Sequence, residues 1–114
     1  MASLNYVAGF LAHHGSIMWK RNYYGNRPQT GPYGQAHPLI VVNCRDSYIV
    51  KGLEKLFGGS IMEWRAPRGV SLMYRWQVVN RDAEAVARQI LPYMLNPIRS
   101  QELQRIVEFY REIP

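Results

Sequence analysis

Apolar residues recur along the chain with two different periods, and the points where one period gives way to the other divide it into elements. From Ala2 to Ala12, Leu4, Val7, Ala8, Leu11 and Ala12 fall at helical spacing, with Ser3 available as a cap and Gly15 as a stop. This predicts a helix with a small-residue face. Ser16 to Tyr24 alternates instead: Ile17, Trp19 and Tyr23 share one parity, while Met18, Lys20, Asn22 and Tyr24 share the other. That is the pattern of a half-buried strand with a polar, cationic outer face. Gly25 to Ala36 carries Pro28, Gly31, Pro32 and Gly34 among polar residues and reads as a long loop. The apolar run Leu39 to Val42 suits a second strand. Asp46 or Ser47 then caps a helix running to Phe57, with Ile49, Val50, Leu53, Leu56 and Phe57 on one stripe and Gly58-Gly59 ending it.

Ser60 to Arg65 and Val70 to Val79 read as a hairpin across Ala66-Pro67-Arg68-Gly69, where Pro and Gly supply turn geometry. In its second strand Tyr74, Trp76 and Val78 alternate with Arg75 and Gln77, so one face is aromatic and the other polar. Val86, Ile90 and Met94 mark an amphipathic helix from Asp82 to Leu95, with a bend or break at Pro92. Asn96-Pro97 reads as a turn, and Ser100 begins a last helix carrying Leu103, Ile106, Val107 and Tyr110. The order is helix, two strands, helix, two strands, helices. It implies an α+β chain in which helices cover one face of an antiparallel sheet and leave the cationic face open.

At 114 residues the chain is expected to form a single domain, residues 1–114, with a modest core. Hydrophobic residues make up 47% and charged residues 19%, ordinary globular usage. The formal charge of +6 and a pI near 9.8 favour a polyanionic partner. Its distribution is uneven. No Asp or Glu precedes Asp46, whereas Lys20, Arg21, Arg27 and Arg45 all do; the C-terminal part interleaves acids with arginines and is close to balanced. Cys44 is the sole cysteine, which excludes an intrachain disulfide and any multi-cysteine zinc site. There is no secretory pattern at the N-terminus and no apolar run near the ~20 residues a spanning helix needs. A soluble, intracellular protein without a membrane partner is the expectation.

Tyr6-Val7-Ala8-Gly9-Phe10-Leu11-Ala12-His13-His14-Gly15-Ser16-Ile17 resembles the signature helix and first-strand entry of the LAGLIDADG homing endonucleases, of the single-motif type. The similarity continues through Asn43-Cys44-Arg45-Asp46, Leu53 to Ile61, Tyr74-Arg75-Trp76-Gln77-Val78 and Leu91-Pro92-Tyr93-Met94, in the family's order along nearly the whole chain. What the resemblance implies is a helix-β-β-helix-β-β-helix half-saddle, whose four-stranded curved antiparallel sheet lies along the major groove of double-stranded DNA. It also implies a homodimer in which two signature helices meet at a twofold axis, where the small residues Ala8, Gly9 and Ala12 permit close approach. From the local sequence alone these three residues equally suit packing on the chain's own sheet.

On this reading Met18, Lys20, Asn22, Met62, Trp64, Arg75 and Gln77 face DNA from the strands, and Tyr24, Arg27, Gln29 and Tyr33 reach it from the long loop. Solvated strand faces and mobile loops show the same patterns. The chemistry departs from the family. Active members carry a carboxylate just before the signature's final Gly, so that Mg²⁺ ions bridge the scissile phosphates. Here that residue is His14; the position of the polar helper near the second strand's end falls on Cys44 or Asn43, and Pro97 stands near the position of an expected Lys. Mg²⁺ prefers oxygen ligands, so no catalytic set and no cofactor is expected, with Mg²⁺ entering only if nuclease activity is retained. His13 and His14, paired with their mates at a twofold axis, suit Zn²⁺ or Ni²⁺; more often such histidines cap the helix C-terminus or contact phosphate. The leading expectation is sequence-specific duplex binding by a homodimer without cleavage. The alternatives are an active or weakly active endonuclease, an RNA-binding splicing helper that stacks bases on tyrosines, and a plain interaction domain.

Overall fold

The computed structural model describes residues 4–21, 23–24, 27–28, 36–65 and 72–111. In chain order the elements are α1 (Leu4–His14), β1 (Gly15–Arg21), β2 (Tyr23–Tyr24), β3 (Arg27–Pro28), β4 (Ala36–Cys44), α2 (Ser47–Phe57), β5 (Ser60–Arg65), β6 (Leu72–Val79), α3 (Asn80–Ile90), a 3₁₀ turn (Leu91–Tyr93) and α4 (Pro97–Arg111). Four strands form one antiparallel sheet in the order β1-β4-β6-β5, and β2 pairs with β3 in a separate short ribbon. The expected α+β architecture, with helices packed on one face of a four-stranded antiparallel sheet, is what forms.

Each helix buries the stripe its sequence marks. α1 turns Val7, Ala8 and Leu11 inward, α3 turns Ala83, Val86, Ala87 and Ile90, and α4 turns Leu103, Ile106, Val107 and Tyr110. These meet Ile40 and Val42 of β4 and Trp76 and Val78 of β6 in one core, with Ile17, Trp19 and Ile61 packed against it from the other strands. Each fully buried side chain of this kind stabilises the fold by about 1.5–3 kcal/mol relative to exposure. Trp76 is the largest of them. Its indole Nε1 donates to the Gly58 carbonyl at 2.9 Å, so its polar atom is satisfied inside the core. Gly58 and Gly59 have φ of 75° and 90°, the left-handed region. A Cβ on Gly59 would lie 2.5 Å from the Gln77 carbonyl oxygen, so only glycine lets the chain leave α2 and enter β5 this close to β6.

Asp46 caps α2 as expected, its Oδ1 accepting from Tyr48 N at 2.9 Å. Several boundaries differ from the sequence expectation for local reasons. β1 stops at Arg21, and the loop expected from Gly25 contains Arg27–Pro28 paired with Tyr23–Tyr24. β4 is longer than the run Leu39 to Val42 and includes Pro38, which has no β6 neighbour because that ladder starts at Leu39. A missing N–H is tolerated at such a local edge. α3 begins at Asn80, whose φ of 54° suits an asparagine, rather than at Asp82. It ends at Ile90 because Pro92 has no N–H to continue the ladder, and a 3₁₀ turn follows. α4 starts at Pro97 rather than Ser100, with Asn96 Oδ1 accepting from the Ile98 and Arg99 amides at 3.0 and 3.1 Å. Asn-Pro is here a cap followed by proline at the first helical position, not a free turn.

Candidate functional site

The sheet has two unlike faces. Alternation places Ile17, Trp19, Ile40, Val42, Trp76, Val78 and Ile61 under the helices, so their neighbours along each strand face outward. Register then aligns the outward side chains in rows across the sheet. Met18 stands level with Leu39 and Leu39 with Val79. Ser16, Val41, Gln77 and Ser60 form the next row, and Asn43, Arg75 and Met62 the one beyond it, level with the C-terminal end of α1. Trp64 pairs with Met73 farther along the β5–β6 ribbon.

Charge follows the same division. Glu63 is the one acid on the four strands, and it shares the parity of Ile61, not that of the outward rows. Lys20 is exposed, and no carboxylate is paired with it among the described residues. Arg75 donates from Nε to Gln77 Oε1 at 3.3 Å, which steadies the guanidinium while its terminal amino groups have no acceptor among the described residues. On the helical side four arginines are tied down. Glu84 holds Arg81 at 3.1 Å and Arg88 at 3.0 Å, Glu102 holds Arg99 at 2.9 Å, and Arg105 lies 4.8 Å from the centre of the Trp19 ring. Burial pushes the Glu84 carboxyl up, but hydrogen bonds and charge from Arg81 and Arg88 outweigh it and hold the group below its ordinary value of 4.5.

Of the residues expected to face DNA, Met18, Lys20, Met62, Trp64, Arg75 and Gln77 share the outward face. Tyr24 and Arg27 pair through their backbones in the β2–β3 ribbon, and nothing is described of their side chains. Asn22, Gln29 and Tyr33 lie outside the described residues. Parity counted from Arg75 would also have found Val79, 41% exposed, and register finds Asn43. Leu39 and Val41 are outward yet almost fully covered, because β4 lies between β1 and β6. An apolar run such as Leu39 to Val42 gives no hint of which residues face which side.

On α1, Ala8 is packed into the chain's own core, whereas Gly9 is exposed with nothing within 4 Å of where a Cβ would stand, and Ala12 is half-buried. Gly9 and Ala12 therefore lie on the side left open by the helix, beside exposed Asn5, Tyr6 and His13.

At the C-terminal end of α1, His14 is exposed and its ring lies against Phe10, 4.7 Å between centres. Cys44 donates from Sγ to the Asp46 carbonyl at 3.4 Å. Pro97 opens α4, and two residues later Arg99 reaches back to donate to the Gly15 carbonyl. The fold thus brings the α1 terminus and the start of α4 together, but the groups that arrive are an imidazole and a guanidinium. Among the described residues no three His, Cys, Asp or Glu side chains gather as a metal-binding group. This donor set does not fit Mg²⁺, which is held by carboxylate and carbonyl oxygens. A cavity of about 10 Å³ beneath Arg99, lined by Leu11, Ile40 and Leu103 among others, is too small for an organic ligand. No described helix is long and apolar enough to cross a membrane.

No protein-family model matches the chain, and no curated protein matches it. Solved structures do. The chain is similar to the homing endonuclease I-CvuI in complex with an I-CreI target, at 16% identity over 97% of this chain and 67% of that one, with a TM-score of 0.73. It is similar to the archaeal intron-encoded homing endonuclease I-Vdi141I complexed with DNA, at 14% identity over 95% and 66% of the two chains, TM-score 0.67. It also matches the LAGLIDADG homing endonuclease I-GzeII in complex with its DNA target, at 15% identity over 97% of this chain and 37% of that one, TM-score 0.70. The chain spans about two thirds of the first two proteins and little more than a third of the third. At these identities the likeness is one of fold, and the fold is that of the LAGLIDADG homing endonucleases.

Proposed function

We propose that the chain is a sequence-specific double-stranded-DNA-binding protein that acts as a homodimer and does not cleave its target in Mg²⁺. One observation carries the DNA reading. The outward rows of the sheet hold Lys20 and Arg75 and no carboxylate, while the acids Glu84 and Glu102 neutralise arginines on the opposite side. A surface of that kind attracts phosphates and releases counterions when it meets them. The three solved proteins of the same fold named above are complexes with DNA. In the homodimer, two α1 helices meet through the open side that carries Gly9 and Ala12.

The donor set supports the reading that Mg²⁺-dependent cleavage is absent. His14 brings no negative charge, Cys44 is hydrogen-bonded to backbone, and Arg99 is committed to Glu102 and the Gly15 carbonyl, so none of the three supplies an anionic oxygen. Each disfavours a site that must hold divalent ions against phosphates.

Selection of bound duplexes from a random pool tests the reading, since a homodimer yields a motif with twofold symmetry. Failure to enrich any duplex, or a motif without symmetry, would overturn it. Incubating the selected duplex with the protein in Mg²⁺ should return it intact. Staggered double-strand cleavage at the centre of symmetry would overturn the inactive assignment and leave the binding assignment standing.

A further inference from the structure

The outward face is not uniformly polar. Met18 and Val79 are 38% and 41% exposed, and Leu39, 4% exposed, stands between them in register. Three adjacent strands therefore contribute one apolar row, at the end of β6, to a face that carries no acid among the described residues. Lys20 lies at the next outward position beyond Met18, and the Asn43 and Arg75 row lies on the other side. Cations flanking an apolar row complement a polyanion that also presents apolar groups. Duplex DNA does so in the major groove, where the thymine 5-methyl is the apolar feature on the base edges.

We infer that Met18 and Val79, supported by Leu39, form a thymine-methyl-reading band within the DNA-contacting face. This deepens the duplex-binding reading and rests on it. Outward residues two apart on a strand are about 6.8 Å from one another, roughly two base-pair steps of 3.4 Å where the strands follow the groove. Leu39 and Asn43 are four residues apart on β4, so the band addresses bases about four steps from those beside Arg75. The Arg75 row is level with the end of α1, so the methyl-reading positions fall outside it in each half-site.

Replacing thymine by deoxyuridine removes the methyl and leaves the hydrogen-bonding edge unchanged, so it isolates this contact. In the selected duplex, symmetric deoxyuridine substitution at the outer thymines should weaken binding about fourfold per methyl, roughly sixteenfold for the pair. Substitution at thymines away from this row and from exposed Met62 and Trp64 should leave it unchanged. In the double variant Met18→Gln, Val79→Ser the penalty should fall away, because both exposed apolar partners are replaced by polar ones. Both side chains are substantially exposed, and unchanged circular dichroism and melting would show that the variant folds. Equal affinity for thymine and deoxyuridine duplexes, or a penalty that persists in the double variant, would overturn the band while leaving duplex binding intact. Absence of any duplex binding would overturn both.

Discussion

The two sides of this molecule use the same residue type for opposite ends. On the helical side Arg81, Arg88, Arg99 and Arg105 each have a fixed local partner: Glu84 for the first two, Glu102 for the third, the Trp19 ring for the last. On the outer sheet face Arg75 is steadied only by the neutral Gln77, and Lys20 faces no acid among the described residues. A paired arginine is spent on its neighbour and adds little field at a distance, whereas an unpaired one keeps its charge for a partner. Net charge says that the protein is basic; the pairing says which arginines keep their charge for a partner.

Neighbouring positions on β6 should separate these roles most sharply. Trp76→Ala, which removes the largest core side chain and its bond to Gly58, should cost about 3–5 kcal/mol in chemical denaturation. Arg75→Ala and Gln77→Ala beside it should each stay within about 0.5 kcal/mol of the parent. A comparable loss in all three would mean that the outward face is as structural as the core.

Gly59→Ala should come next, at about 1–3 kcal/mol. The residue has φ 90° and an added Cβ would meet the Gln77 carbonyl. Because the clash is with β6, the variant should also disturb the Arg75 and Gln77 row. Duplex affinity should therefore fall even where the protein remains folded.

Arg75→Ala should weaken binding to the selected duplex by about 1–3 kcal/mol and relax preference at one base position in each half-site. Lys20→Ala should weaken all duplexes alike and make the logarithmic salt slope shallower by about one per subunit. Arg88→Ala, on the paired side, should leave affinity and slope unchanged in the same titration. If it does not, the division of faces is wrong.

Smallest is the effect of the helical ion pairs on stability. Glu84→Gln should cost about 0.2–1 kcal/mol at neutral pH, since both arginine partners are largely exposed. The sign of the pH dependence follows from the lowered Glu84 carboxyl. Its contribution is present above the ordinary value of 4.5 and lost as pH falls through the lower folded value. Melting curves of the parent and Glu84→Gln should therefore converge in acid and separate toward neutrality. Separation that grows in acid would reverse the assignment.

The sequence by itself determined the elements and their inward stripes. Helical and two-residue periods are local properties, so α1, α2, the β5–β6 pair and the outward parity of Lys20, Arg75 and Gln77 could be read directly. Caps were legible where the chemistry is unambiguous, as at Asp46, and misread at Asn96-Pro97, where one dipeptide serves equally as a turn or as a helix start. What only the tertiary structure decided depends on neighbours distant in sequence. Strand order put β4 between β1 and β6, which covers its outward Leu39 and Val41 as well as its inward Ile40 and Val42. Packing also divided the small residues of α1, burying Ala8 while leaving Gly9 open. The end of α1 received Arg99 from 84 positions away. Periodicity records which residues share a face, but not what lies against that face, because contacts between elements depend on how the elements pack and not on the order in which they are written.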